Sequence, residues 1–421
     1  MFLKVSTADI SSNFTYAGNE KTVAVDSVTG YQLNYLTNNQ YMNTSCYPHN
    51  RGWSNDGNYI FIESDRPRPD GQPSTGNTVG DYHFIERQLL AVNVNNGDIY
   101  WLGSIEVEDI SQYGVNHVSM SSQYHIDYSP GADILVYYDM TGHRLYTLDL
   151  DTGNRNLIWH SEYATLGDTP SISWDGRAVL VYACSAKPTD SSFFSGKTTS
   201  IYKIRLNTET GEAIGLPKLV YSYSNRSDIS QDSEINIGHV IIDPMDVSQM
   251  TFCHGYSGSA DGSVQKRRVW YGKTDGSLIK SLTDTQNIDT HEMWGFSNRY
   301  SYFVRIKSSG SSIQKLDVLN GGLEEVFSST SLAIIHIGLD KAENLFVFDT
   351  FNSLIDDYTR NIGIWLYNRA EASLIQVASQ IGGVNHPRHP HPILRPDGKM
   401  IAFNVGVGID DSQVVVVDID Q

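Results

Sequence analysis

The sequence contains few cysteines and no long apolar runs. Its three cysteines, Cys46, Cys184 and Cys253, are widely separated and form no C-x-x-C pair. They are typical of reduced, buried thiols, which suits a reducing compartment. Apolar runs such as Val414–Val417 have the length of a strand, far short of the roughly 18 residues of a transmembrane helix. The first residues also lack a charged segment followed by an apolar core. We therefore expect a cytoplasmic protein, or a periplasmic one if a signal peptide has been removed.

Positive charge is also scarce. The chain has 30 Lys and Arg against 48 Asp and Glu, which gives a net charge of −18. Nucleic acids and anionic membranes both need a basic surface, so neither is expected as a partner. A short acidic substrate is compatible with this charge if local positive groups override the general repulsion. The oligomeric state is left open.

Several catalytic motifs are absent. The sequence has no G-x-S-x-G, which a prolyl-oligopeptidase-type hydrolase would need, and neither a P-loop nor a dinucleotide-binding fingerprint. What it has is a composition suited to a packed core, with 40% hydrophobic and 11% aromatic residues. Its 421 residues allow two or three ordinary domains or one large repeat architecture.

A short pattern recurs seven times along the chain. It consists of an aromatic or apolar residue, a polar turn rich in Asp, Gly, Asn or Pro, and a strand of alternating apolar residues. The copies begin at Trp53, Tyr128, Trp174, Asp243, Phe296, Leu339 and Arg395. Each is followed by further strand-like segments, and the spacing of roughly 45 to 75 residues accommodates a propeller blade with insertions. The repeat predicts an all-β, seven-bladed β-propeller with four antiparallel strands per blade, formed by residues 1–421 as a single domain.

The two ends of the chain favour closure of this propeller. The last copy stops after the strand that runs from Val414 to Ile419, and Thr29–Leu36 offers a spare strand near the N-terminus. Pairing the two would complete the final blade and remove exposed sheet edges. A pair of β-sandwiches is the structural alternative, but it would not need seven copies.

Histidines are concentrated near the last turn motif. His386, His389 and His391 lie within six residues, and a proline follows each of them. On an extended segment residues two apart point the same way, so His389 and His391 can present imidazoles to one point, which His386 reaches from the preceding loop. Neutral imidazole is a common metal ligand. The alternatives are a turn with solvated rings, or histidines that form hydrogen bonds at a strand entrance.

Other histidines precede earlier turn motifs, where the innermost strand of each blade is expected. His239 precedes the fourth turn, His291 the fifth and His336 the sixth. We expect these residues to converge on neighbouring sectors of the propeller mouth. Structural roles are the alternative for His291 and His336. His239 and His254 are expected to belong to the scaffold, with contact to the substrate as the lesser alternative.

Three segments together resemble the oligogalacturonate lyases, a polysaccharide-lyase family of manganese-dependent seven-bladed propellers. The first runs from Gly238 through Phe252–Gly255 to Arg268-x-Trp270. The second, Thr290–Trp294, is similar to the family's T-H-E-aromatic-W. The third, His386–Pro392, matches a family segment Q-x-x-H-P-H-P.

The resemblance implies roles for particular residues. Arg268 and His291 would act on the substrate. The metal would be held by His336, His386, His389 and His391. For Arg268 the alternative is a solvated residue in the basic run that begins at Lys266.

Two positions depart from the family pattern. His386 stands where the family has glutamine. The resemblance implies a divalent metal, with manganese expected, and a fourth imidazole leaves zinc, nickel or copper open as alternatives. The loop Gly255–Ser257 replaces an acidic residue and a Gly-Pro. This second departure leaves the exact uronide open.

The resemblance therefore implies a metal-dependent lyase of pectin breakdown. It would cleave short 4-linked uronic-acid oligosaccharides by β-elimination and leave a 4,5-unsaturated end. The acid that protonates the leaving oxygen is unassigned among water, Tyr256 and His291. A lyase for ulvan or glucuronan oligomers is one alternative, and a non-catalytic propeller that binds protein or sugar is the other.

Overall fold

The computed structural model of the chain describes residues 8–72, 77–79, 82–108, 125–139, 143–161, 165–166, 169–184, 198–224, 237–254, 269–283, 287–351, 363–379, 389–407 and 411–420. These residues form 32 β-strands and one short helix, α1 (Ile10–Asn13). Within the described ranges, no helix has the length and apolar character needed to cross a bilayer.

The strands follow one another with short connections. In chain order they are β1 (Thr15–Asn19), β2 (Thr22–Val25), β3 (Gln32–Tyr35), β4 (Asn43–Ser45), β5 (Tyr59–Ser64), β6 (Asn77–Val79), β7 (Tyr82–Asn93), β8 (Asp98–Glu108), β9 (Ile126–Ser129), β10 (Ile134–Asp139), β11 (Arg144–Asp149), β12 (Arg155–His160), β13 (Thr165–Leu166), β14 (Ser171–Ile172), β15 (Ala178–Cys184), β16 (Thr198–Arg205), β17 (Lys218–Ser224), β18 (Ile237–Ile242), β19 (Gln249–His254), β20 (Val269–Lys273), β21 (Ile279–Ser281), β22 (Ile288–Trp294), β23 (Tyr300–Lys307), β24 (Gly310–Asp317), β25 (Leu323–Ser329), β26 (Ala333–Leu339), β27 (Leu345–Phe351), β28 (Gly363–Asn368), β29 (Ser373–Ala378), β30 (Ile393–Leu394), β31 (Met400–Val407) and β32 (Asp411–Asp418).

Seven antiparallel sheets contain these strands. Their strand orders are β1-β8-β7-β5-β4 with β6 on β7, β12-β11-β10-β9, β13-β15-β16-β17 with β14 on β15, β18-β19-β20-β21, β22-β23-β24-β25, β26-β27-β28-β29, and β2-β3-β32-β31-β30. The all-β, seven-bladed β-propeller that the repeat predicts is therefore confirmed. Several sheets have more than the predicted four strands, because short strands are added to them.

The chain divides into two compact units. Unit 1 comprises Met1–Asp9, Pro73–Arg87 and Ser104–Trp294, and unit 2 comprises Ile10–Gln72, Gln88–Gly103 and Gly295–Gln421. Whether the chain folds as one domain stays a prediction.

An N-terminal strand completes the last sheet, as predicted. In unit 2, β3 pairs with β32 through Asn34 and Val416 and through Tyr35 and Val415. The N–H of Leu36 extends this ladder by donating to the carbonyl of Val414 at 2.8 Å. β2 then covers the outer edge of β3.

The seven turn motifs join β4 to β5, β9 to β10, β14 to β15, β18 to β19, β22 to β23, β26 to β27 and β30 to β31, where the sequence predicts them. The strand before each turn is called the first strand of its blade. A recurrent hydrogen bond closes the turn; in one copy the N–H of Ser173 donates to the carbonyl of Ala178 at 2.9 Å. The turn requires a positive φ, which Gly176 supplies at 70°. A Cβ at Gly176 would also lie 2.5 Å from the Cβ of Ala132. Two blades use Asn298 (φ 53°) and Glu343 (φ 56°) at the equivalent position.

The hydrophobic core lies between neighbouring sheets. In unit 1, Ile134 and Val136 of β10 pack with Val179 and Val181 of β15. In unit 2, Val347 of β27 belongs to the same cluster as Phe403 and Val415 of the last sheet. The inner strands carry apolar side chains on both faces of the sheet. Each sheet therefore contributes to two such layers. This packing fixes the first strands, which carry the histidines.

Candidate functional site

His336 is held in one orientation by a buried carboxylate. It lies in β26 at a bulge, where the register against β27 shifts between Ile334 and Ile337. Asp349 of β27 accepts hydrogen bonds from the His336 backbone N–H and from its Nδ1, both at 2.8 Å. Both side chains are buried, with 1% and 0% exposure. With the Nδ1 proton donated to the carboxylate, Nε2 is the acceptor or ligand nitrogen of His336, and it faces His391.

His389 and His391 lie close to Nε2 of His336. The Nε2 atoms of His336 and His391 are 3.1 Å apart, and the ligand atoms of all three histidines lie within 4.8 Å of one another. Two ligand atoms about 2.1 Å from one ion and at right angles lie about 3.0 Å apart. The geometry of this histidine trio, His336, His389 and His391, therefore suits a divalent cation.

The segment that carries two of these histidines is fixed by Asn404 of β31. Its Nδ2 donates to the carbonyl of His389 at 3.0 Å, and its N–H donates to the carbonyl of Pro390 at 2.8 Å. Its Oδ1 accepts the N–H of Ser45, at the end of β4. One buried amide thus anchors two neighbouring first strands.

Tyr47, just beyond β4, borders the histidine trio. Its ring centroid lies 4.9 Å from that of His391 and 6.0 Å from that of His336, the latter edge-on. His49 follows, with its ring 4.5 Å from Tyr47. The sequence predictions missed both residues. Their signal was positional: Tyr47 and His49 precede the first turn motif, just as His389 and His391 precede the seventh.

A second cluster lies in unit 1, around His239. Its Nδ1 lies 3.0 Å from Oε2 of Glu292, a carboxylate whose side chain is 0% exposed. Cys253 of β19 is close enough for its sulfur to lie within 4.8 Å of both groups. Trp294 holds β22 in place by donating from Nε1 to the carbonyl of Ile241 at 3.2 Å. The sequence interpretation assigned His239 to the scaffold and gave Glu292 no role.

Three of these histidines have left-handed backbones. The φ angles of His239, His291 and His391 are 45°, 55° and 43°. A non-glycine residue in this region costs on the order of 1–3 kcal/mol, and such strain clusters at functional sites.

At His291 the left-handed backbone changes the direction in which neighbouring side chains point. Successive residues of a regular strand point to opposite faces. Here His291 and Glu292 both approach His239, Glu292 by its hydrogen bond and His291 with its ring centroid 6.5 Å away. The left-handed backbone at His291 explains this break in the alternation.

Several predicted site residues lie outside the described residues. These are Arg268, His386, Tyr256 and the loop 255–257. His254 ends β19. The predicted roles of Arg268 and His386, and of the histidines that the structure does place, stay predictions.

Fold and geometry together define the class. The protein is a seven-bladed β-propeller with clusters of histidines on, or just before, the first strands of its blades. No protein-family model and no curated protein sequence matches the chain. Among solved structures, it is similar to an oligogalacturonate lyase in complex with manganese, with a TM-score of 0.72, 18% identity, and coverage of 96% of this chain and 98% of that chain.

An oligogalacturonate lyase from Vibrio parahaemolyticus is also similar, with a TM-score of 0.68, 17% identity, and coverage of 97% and 98% of the two chains. The Cps50 (Swd1) β-propeller domain from Myceliophteria thermophila is similar with a TM-score of 0.50, 10% identity, and coverage of 94% of this chain and 99% of that chain. The resemblance to oligogalacturonate lyases is thus confirmed for the fold. Identities this low establish the fold alone.

Proposed function

We propose that the protein is a metal-dependent lyase that cleaves short 4-linked uronic-acid oligosaccharides by β-elimination. The observation that carries the proposal is the histidine trio, with two Nε2 atoms 3.1 Å apart and the buried carboxylate of Asp349 behind His336. The fold shared with oligogalacturonate lyases supports the same conclusion. The left-handed backbone of His391 agrees with this proposal, because strained conformations cluster at functional sites.

The reaction removes the proton at C5 of a uronate, next to a carboxylate that makes this proton very weakly acidic. A divalent ion held by His336, His389, His391 and His386 would supply Lewis-acid charge to that carboxylate. The protein's part is to provide neutral imidazoles, which leave the charge of the ion uncompensated. Asp349 keeps the His336 ring in the tautomer that this requires.

The metal is proposed to be manganese. This choice rests on the family resemblance and on the manganese-bound oligogalacturonate lyase with the same fold. The imidazole-rich ligand set also suits zinc and nickel, which makes them the competitors.

His291 is the proposed base. Imidazole is the side chain that ordinarily titrates close to neutral pH, so it can accept the C5 proton there. Arg268 is proposed to pair with the substrate carboxylate, because a guanidinium can bind both carboxylate oxygens at once. Together, a fixed cation and a bound metal would stabilise the enolate-like charge that develops in the transition state.

The proposed substrate is a di- or trigalacturonate, with ulvan- and glucuronan-derived oligomers as the alternatives. Short oligomers suit a chain of net charge −18, since a long polyanion would be repelled more strongly. We place the enzyme in the cytoplasm, where short oligosaccharides arrive already imported.

The experiment compares metal binding and product formation. Purified protein is stripped of metal, titrated with Mn²⁺, Zn²⁺ or Ni²⁺ by calorimetry, and incubated with each class of uronide oligomer. We expect one ion per chain and a 4,5-unsaturated product from one uronide class. His389→Ala should lose both, whereas His143→Gln, a matched histidine in the turn before β11, should lose neither. Equal metal binding by the wild type and His389→Ala would refute the metal site.

A further inference from the structure

β-Elimination needs a proton donor as well as a base, and unit 1 contains a second candidate group. When the C5–H bond breaks, its electron pair forms the C4=C5 double bond and the C4–O bond breaks. The departing oxygen keeps the bond's electrons and must gain a proton. An alkoxide is a poor leaving group, so a positioned acid typically contributes about 10²-fold to 10⁴-fold in rate.

We propose that His239, paired with Glu292, is the general acid that protonates the departing C4 oxygen. This inference rests on the proposed lyase function. His239 is a catalytic residue in this account, and Glu292 is its positioning residue.

The first support is the pairing itself. Glu292 is fully buried, and its Oε2 lies 3.0 Å from Nδ1 of His239. A buried carboxylate beside one ring nitrogen orients the imidazole, as in the His-Asp pair of serine proteases. In the proposed acid form both ring nitrogens carry a proton: Nδ1–H faces Glu292, and Nε2–H is the proton that is transferred. The His239 side chain is 16% exposed, so this pair is not sealed in the core.

The second support is backbone strain on two adjacent strands. His239 has φ 45° at the bulge of β18, where the register against β19 shifts between Gly238 and Ile241. His291 has φ 55° on β22. These two costly conformations place two imidazoles side by side.

The third support is the distance between the two rings. Their centroids are 6.5 Å apart and their planes are inclined by 28°. The C5 hydrogen and the C4 oxygen of a uronate are attached to neighbouring carbons. Two imidazoles at this separation are spaced to serve both atoms, with His291 as the base and His239 as the acid.

Cys253 offers a different interpretation of the same cluster, because His239, Cys253 and Glu292 together form a potential metal site. His239 and Glu292 are in direct contact at 3.0 Å, and the metal interpretation is one of the outcomes that the test below distinguishes. Glu292, His291 and Cys253 all lie near His239.

The test uses two substrates that differ in their leaving group. One is digalacturonate, and the other is a methyl galactosiduronate with a nitrophenyl ether at C4, whose phenolate leaves without protonation. We expect His239→Gln to lower kcat on digalacturonate roughly 10²-fold or more, with a much smaller loss on the aryl ether. His291→Gln should lower both rates. His143→Gln, another histidine with a left-handed backbone (φ 47°), should change neither.

The pH profile provides an independent readout. Loss of the acid's proton should give kcat an alkaline limb in the wild type, and this limb should be missing in His239→Gln. Glu292→Gln should lower kcat on digalacturonate more than on the aryl ether, because the His239 ring loses the carboxylate that orients it. An His239→Gln protein that still cleaves the aryl ether is folded, so loss of fold cannot imitate the result.

Three outcomes would overturn the inference. His239→Gln could retain wild-type kcat on digalacturonate, or it could lose both substrates equally. Alternatively, the wild type could bind a second metal ion that Cys253→Ser abolishes, which would identify the cluster as a metal site. If the wild type forms no unsaturated product from any uronide, the lyase proposal itself fails and the inference fails with it.

Discussion

At the scale of single residues, the carboxylate of Asp349 determines which nitrogen of His336 faces the other histidines. Asp349 accepts both the backbone N–H and the Nδ1 proton of this residue at 2.8 Å. The imidazole is thereby presented through Nε2, toward His391. Partners behind a ligand of this kind usually matter almost as much as the ligand itself.

Asp349→Asn is therefore expected to weaken metal binding roughly 10-fold to 100-fold. An amide at this position no longer specifies the Nδ1–H tautomer of His336. The measurement is calorimetric titration of metal-free protein with Mn²⁺. The matched control is Asp127→Asn, since Asp127 is also buried and accepts the N–H of Ile172 at 2.9 Å. Equal weakening in both variants would mean a general loss of stability.

Residue types in the sequence point to the histidine trio, but not to the pairing of His239 with Glu292. The pairing depends on the left-handed backbone at His291, which brings two successive residues of one strand to the same partner. Sequence periodicity assumes regular alternation, so it places Glu292 on the opposite face. Tyr47 was missed for a similar reason, because its contact with His391 joins segments that are far apart in the sequence.

At the scale of elements, the turn motifs were predictable because their chemistry is local. Asp, Asn, Gly and Pro favour the same turn wherever they occur. The bulges of β18 and β26 were not predictable, since they exist only relative to the partner strands β19 and β27. These bulges position His239 and His336.

The turn between β18 and β19 contains a pH-sensitive carboxyl. Burial raises the pKa of Asp243 to about 7, although the N–H groups of Met245 and Asp246 counteract the shift. The raised pKa means that the folded state favours the protonated form. This contribution to stability is complete below about pH 4 and is lost as the pH rises through about 7.

Asp243→Asn is accordingly expected to stabilise the protein at pH 8 by roughly 1–3 kcal/mol. The amide oxygen can still accept the two backbone N–H groups without carrying a buried charge. Denaturant unfolding at pH 5 and pH 8 measures the effect, which should be smaller at the lower pH. A variant that is destabilised equally at both values would contradict this explanation.

At the scale of the whole molecule, repetition made the fold class predictable. Seven copies of one turn and strand pattern allow few architectures, and a spare N-terminal strand identified the closing partner of β32. The division into two compact units was not predicted, because it depends on contact density rather than on any local pattern. The net charge of −18 narrows the partners, but it does not identify a substrate.

The single-domain prediction has a thermodynamic test. We expect one calorimetric unfolding transition, with calorimetric and van't Hoff enthalpies that agree. Removing metal should lower its midpoint, since a ligand that binds only the folded state stabilises that state. Two separable transitions, each assignable to one unit, would show instead that the units fold independently.

The central claim is metal-dependent β-elimination, and the short-wavelength ultraviolet absorbance of the conjugated double bond in the product measures it most directly. Metal-free protein is mixed with trigalacturonate, and Mn²⁺ is then added to the same sample. The account predicts no increase in absorbance before the metal and a steady increase after it, which His389→Ala should abolish. An unchanged absorbance with every uronide oligomer, with and without Mn²⁺, Zn²⁺ or Ni²⁺, would contradict it.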